Sequence, residues 1–202
     1  MKHKIIYPEF MNIKTEDGEV YIGGSQEWYE DKWHKKSGCG PVAASNIVWY
    51  IMRKHGTTPD YLKLIREMYD FVTPTLRGVD TSGIFVNGLL GYAGKNNIII
   101  TPHVLDIPKR KRDRPDADML REFIVKALNT DSPVAFLNLS NGTISDLENW
   151  HWVTIIAFDP DTMITEISDH GKILSINISE WLESSMLGGS FVYIINETHR
   201  DI

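Results

Sequence analysis

Apolar residues recur at helical spacing along the first two-thirds of the chain. Val42, Ala43, Ile47, Val48 and Ile51 predict a helix over about 41–55, with Gly56 as its stop. Tyr61, Leu64, Ile65, Met68 and Phe71 share one face of a second helix, which Thr58-Pro59-Asp60 opens. A third starts near Asp80-Thr81-Ser82-Gly83 and carries Ile84, Leu89, Leu90 and Tyr92 before Gly94. The next, over about 116–129, presents Leu120, Phe123, Ile124, Ala127 and Leu128 as an apolar stripe. Between these last two, β-branched density over 97–105 predicts a strand.

Past Ser132-Pro133 the period changes. Segments 134–139, 151–158, 163–167, 172–176 and 191–195 read as strands, with turns at Asn141-Gly142, Asp159-Pro160-Asp161, His170-Gly171 and Gly188-Gly189. A short helix over 179–187 interrupts them. Residues 1–38 form a mixed lead-in, with a short strand at 19–22 and either a short helix or an aromatic loop over 26–33. The pattern predicts an α+β protein with a single domain over 1–202. A helical half, 39–130, faces an antiparallel sheet half, 131–202, across a cleft.

Composition narrows the classes. With 202 residues, 42% hydrophobic and 24% charged, the chain can bury a sizeable core. A formal net charge of -6 argues against nucleic acid as a partner, and the basic run Lys109–Arg114 reads as a solvated loop. The stretch Met1–Pro8 lacks the apolar segment of a secretion signal, and no window is apolar enough to span a bilayer. The single cysteine excludes an internal disulfide and suits a reducing compartment, so the cytoplasm is the expected location.

That cysteine is also the first chemical candidate. Cys39 stands in Ser37-Gly38-Cys39-Gly40-Pro41, between two glycines that let the backbone turn tightly, and directly before a helix. A helix N-terminus favours a thiolate, and the backbone N–H there points outward, available to an oxyanion. A buried structural cysteine is the plainer alternative, but it has no need of flanking glycines. Of the seven histidines, His3, His34, His55, His103 and His199 lie in polar or terminal contexts without a supporting pattern. His151 instead begins the strand Trp150-His151-Trp152-Val153-Thr154-Ile155, where it can act as base toward a thiol or serve as a hydrogen-bonded structural group. Antiparallel pairing of the strands at 151–158 and 163–168 would bring Asp169 beside it as the third member of a triad; a turn role before Gly171 is the other reading.

These residues resemble the papain-like cysteine peptidases, nearest the branch of the double-glycine leader peptidases that serve bacteriocin exporters. Cys39-Gly40-Pro41-Val42-Ala43, His151-Trp152-Val153-Thr154-Ile155 and Ser168-Asp169-His170-Gly171 carry the resemblance, with Ser132-Pro133-Val134-Ala135 ahead of the histidine. It covers about 39–182 and implies a papain-like fold with Cys39, His151 and Asp169 as catalytic residues. The family's oxyanion-hole glutamine stands six residues before the cysteine, where this chain has Trp33; Gln26, thirteen residues upstream, or the Trp33 indole N–H is then the candidate donor. Trp28, Trp150 and Trp152 are candidate substrate contacts, with core packing as the alternative for each.

The leading expectation is a thiol hydrolase acting on a peptide or other amide substrate. Acyl transfer on the same triad, or a catalytically silent module that binds a peptide or protein, are the alternatives. Cys39, His34 and His151 lack metal-ligand spacing, and phosphate-loop and dinucleotide fingerprints are absent, so no metal or cofactor is implied.

Overall fold

A computed structural model describes residues 1–198. In chain order these form β1 (His3–Lys4), β2 (Asn12–Lys14), β3 (Val20–Ile22), α1 (Lys32–Ser37), α2 (Cys39–Ile51), α3 (Thr58–Phe71), α4 (Ser82–Lys95) and β4 (Ile100–Ile107). There follow α5 (Ala117–Asn129), β5 (Val134–Asn138), β6 (His151–Asp159), β7 (Ile164–Asp169), β8 (Lys172–Asn177), α6 (Ile178–Ser184) and β9 (Gly189–Asn196). Short 3-10 turns lie at Pro8–Met11, Gln26–Trp28 and Lys111–Asp113. The architecture is α+β. His199, set aside above, lies outside the described residues.

The main sheet runs β4-β9-β5-β6-β7-β8, with β1 added to β6, and each of these pairings is antiparallel. Both faces are covered, which is why the central strands read as nearly continuous apolar runs. Ala135, Leu137, Trp152, Val192 and Ile194 face α2, α3 and α4 in one apolar layer. Phe136, Val153, Ile155, Phe191 and Tyr193 join α5 and α6 in the other. This sheet is not confined to the second half of the chain. β1 comes from the lead-in and β4 from the 39–130 segment, and they pair with β6 and β9.

α2 is buried along Cys39–Tyr50, the central element of the molecule. It ends at Ile51, short of the expected His55. Arg53 turns left-handed (φ 48°), its N–H returns to Tyr50 O and that of Lys54 to Trp49 O, so the chain closes in a Schellman cap before Gly56. α1 runs into α2 with only Gly38 between them. Asp31 caps α1 by accepting from the N–H groups of Trp33 and His34, so the 26–33 segment is a 3-10 turn followed by the start of a helix. The basic run is partly structural as well: Arg114 donates to Leu182 O and Ser185 O, satisfying carbonyls at the end of α6.

Candidate active site

Cys39 is the first residue of α2, 7% exposed. Its N–H is among those that helix geometry leaves without an intrahelical acceptor. Pro41 fits here because the N–H it lacks would have been another of them. The flanking glycines have a packing role. A side chain at position 40 would meet Val79 at 2.7 Å, and one at position 38 would meet His34 O at 2.5 Å. Close approach of neighbouring segments to the turn, rather than room for a ligand, explains both.

The register of the sheet brings in the other two groups. Thr154 pairs with Ser168, which sets Asp169 opposite Val153, and His151 shares its strand face with Val153. That diagonal offset is within reach of an imidazole. His151 Nε2 and Asp169 Oδ1 lie 2.7 Å apart, with both side chains almost wholly buried. With Nε2 engaged by Asp169, Nδ1 is the ring nitrogen left for the Cys39 thiol, which lines the same crevice and interacts electrostatically with the imidazole. Burial works against the charged ring. The hydrogen bond to Asp169, followed by the interaction with Cys39, outweighs it and raises the His151 pKa from 6.5 to about 10. Burial pushes the Asp169 carboxyl up, but the His151 hydrogen bond and charge hold it below the ordinary carboxylate range.

A narrow crevice surrounds these groups, closed by Gly24, Gln26, Asn46, Ser168 and His170 on its polar side and by Val42, Ala43 and Val153 on its apolar side. Gln26 thus reaches the cysteine despite its sequence distance, because the lead-in folds back over the N-terminus of α2. Its Oε1 is buried without a hydrogen-bond partner among the described residues. Half a turn of its amide would present the NH2 instead. Trp33 lies on the opposite side of Cys39, in a hollow of about 310 Å³ that it lines with Lys36, Leu76, Arg77 and Trp150. Trp33 and Trp150 are both half-exposed there, and the Arg77 guanidinium lies 5.8 Å from the centre of the Trp150 ring. The geometry therefore separates the two oxyanion candidates: Gln26 belongs to the crevice, Trp33 to the hollow.

Of the other two candidate tryptophans, Trp152 belongs to the core and Trp28 packs half-buried against it. Trp152 borders the crevice, but its indole points to the opposite face of β6, donates to Val79 O at 2.6 Å and stacks on Phe85 at 4.2 Å. Trp28 packs edge-on against Tyr21 and Tyr61, and lines neither the crevice nor the hollow.

Sequence reasoning missed three residues here. Asn46, one helical stretch after the cysteine, accepts from Gly24 N–H at 2.9 Å and donates to Thr154 Oγ1 at 3.0 Å, joining the lead-in to β6. Asn138 holds the loop before His151: its amide donates to Glu148 O, and its Oδ1 accepts from Trp181 Nε1 at 2.7 Å. His170 is the third. It and Gly171 form the two-residue β7–β8 turn with φ of 47° and 75°, the left-handed pair of a type I′ hairpin. Its ring stacks on His151, centres 5.3 Å apart and planes 14° apart, and its Nδ1 is 3.2 Å from Ser25 Oγ. His-Gly in place of the usual Asn-Gly was the available signal. Trp150, with φ 55°, is a second bulky left-handed residue beside the site; such strain collects where surrounding structure enforces it.

No protein-family model matches the chain, and no curated protein matches it. Among the described residues no helix is long and apolar enough to cross a membrane.

Proposed function

We propose that this protein is a cysteine peptidase or closely related amide hydrolase with a papain-like arrangement of its triad. The observation that carries the reading is the buried chain Cys39–His151–Asp169, in which a helix-terminal thiol meets an imidazole whose far nitrogen is 2.7 Å from a buried carboxylate. A central helix bearing the nucleophile against an antiparallel sheet bearing base and acid is the layout that fold requires.

In the proposed reaction the Cys39 thiolate adds to an amide carbonyl while His151 holds the proton on Nδ1. The oxyanion is met by the Cys39 backbone N–H and the Gln26 amide. His151 then gives its proton to the departing amine, leaving a thioester on Cys39. Water, deprotonated by the same ring, releases the acid and restores the thiol. Asp169 keeps the ring oriented and stabilises its charged form without taking the proton. The hollow beside Cys39, walled by Trp33, Leu76 and Trp150, supports binding of an apolar side chain of an extended substrate.

The test is iodoacetamide labelling of Cys39 across pH, paired with a fluorogenic peptide library. Labelling that stays fast down to about pH 5–6 and slows sharply in His151→Ala is expected, because a thiolate–imidazolium pair resists protonation. Cys39→Ala should abolish turnover with an unchanged circular dichroism spectrum. A labelling profile that rises only near pH 8–9 in both proteins would refute the proposal.

A further inference from the structure

Next to the triad are two donors, Glu148 and His170, that the proposed reaction does not use. His170 Nε2 lies 3.8 Å from Glu148 Oε1 and 3.7 Å from Asp169 Oδ1, and that same Asp169 oxygen is 2.7 Å from His151 Nε2. Both Nε2 atoms therefore lie close to the same Asp169 oxygen. One donor atom from each of Glu148, His151 and His170 falls within 4.8 Å of the other two. We propose that Glu148, His151 and His170, with Asp169 as the fourth ligand, bind a zinc ion that takes the His151 imidazole out of the triad.

The geometry asks for movement in two places: the buried His151–Asp169 pair, 2.7 Å apart, must open by about 0.7 Å, and Glu148 must swing toward Asp169. Zinc bonds of about 2 Å at a tetrahedral angle put neighbouring donors about 3.4 Å apart. The present His170–Glu148 and His170–Asp169 separations are 3.8 and 3.7 Å. Glu148 is the freer of the two carboxylates, its side chain 62% exposed, while its backbone is fixed by the Asn138 amide donating to Glu148 O. His170 is held in its left-handed turn, with Ser25 Oγ on Nδ1, which leaves Nε2 as the coordinating nitrogen. Two imidazoles and two carboxylates suit zinc, whereas calcium and magnesium prefer all-oxygen shells.

Binding exchanges a proton for the ion. The His151 Nε2–H that donates to Asp169 leaves to solvent, Nε2 bonds to zinc, and the Asp169 oxygen that accepted the proton becomes a ligand. The ring can then no longer carry charge beside the thiol. The inhibition rests on the hydrolase reading; the binding does not.

The experiment is calorimetric titration of the full chain with zinc chloride, with cobalt(II) spectra as a second readout. One ion per chain is expected, bound equally by Cys39→Ser. Glu148→Gln and His170→Asn should each weaken it tenfold or more; asparagine is chosen because it tolerates the left-handed turn. Zinc should slow iodoacetamide labelling of wild type and not of Glu148→Gln at the same concentration. No binding, binding unchanged in both variants, or a thiolate-to-cobalt charge-transfer band that Cys39→Ser removes would each overturn the site. The expected binding pattern in a chain that hydrolyses nothing would uphold the zinc site and refute only the hydrolase reading.

Discussion

The change Asp169→Asn keeps the shape of the side chain and an acceptor oxygen for His151 Nε2–H while removing the charge. At about 1.4 kcal/mol per pH unit, the difference between 6.5 and about 10 favours the folded imidazolium by on the order of 5 kcal/mol, shared between Asp169 and Cys39. A hydrogen bond to a charged partner contributes about 1.5–3 kcal/mol against about 0.5–1.5 for a neutral one, and the lost Coulomb attraction adds to the difference. The His151 midpoint should therefore fall by one to two units, to roughly 8–9. NMR titration of ring-¹⁵N-labelled protein, with the signal assigned through His151→Asn, measures it without a substrate. The alkaline limb of turnover, which needs the imidazolium to protonate the leaving amine, should move down by the same amount.

Stability follows with a definite sign. A raised histidine pKa contributes stability that is fully present below the ordinary 6.5 and is lost as pH rises through about 10. The gap between wild type and variant should thus be widest near neutrality and close above about pH 10. The depressed Asp169 carboxyl adds a separate loss in wild type as pH falls through its lowered midpoint. A His151 midpoint near 6.5 in wild type, or one that Asp169→Asn leaves in place, would refute the reasoning.

Other residues divide by where they act. Gln26→Ala should lower kcat by about 10²–10³ with little change in KM, as loss of an oxyanion donor does; a pure KM effect would place Gln26 in substrate binding instead. Trp33→Ala and Trp150→Ala should each raise KM for substrates with an apolar side chain roughly five- to tenfold, leaving thiol labelling unchanged. Trp152→Ala should cost about 3–5 kcal/mol of stability, since it empties a core position. Its labelling profile at low temperature should match wild type, and a selective loss of substrate affinity without destabilisation would contradict the core assignment.

Local patterns carried the helices: α3 and α5 repeat their apolar positions at the period of the one face each buries, and α2 is buried on every side along Cys39–Tyr50. They carried the His151–Asp169 meeting too, since two strands joined by a tight turn leave few registers open. What stayed hidden depends on distance. Nothing local says that His3–Lys4 will pair with β6, or that β4 will cross from the helical half to lie on β9. The roles of the tryptophans were equally illegible. Trp150 and Trp152 stand two residues apart in the chain, yet a left-handed backbone at Trp150 turns one toward solvent while the sheet buries the other. Gln26 and Trp33 were both legible as donor candidates, but choosing between them needed the long-range tie of Gly24 to Asn46, which seats Gln26 in the crevice.

The way β6 is anchored has a consequence for heat inactivation. His151 belongs to a strand flanked by β5, β7 and β1 and covered by α2, so it can be displaced only in a near-global opening. Gln26 rides on a three-residue 3-10 turn held by side chains of Ser25 and Asn46 and by Trp28 against Tyr21 and Tyr61. Such a turn opens as a small cooperative unit, far below the cost of unfolding the sheet. On warming, the oxyanion donor should depart first. There is then an interval in which the thiol still reacts with alkylating agents but no longer turns over an amide. Failure begins at the soft rim of the site while its rigid centre is intact.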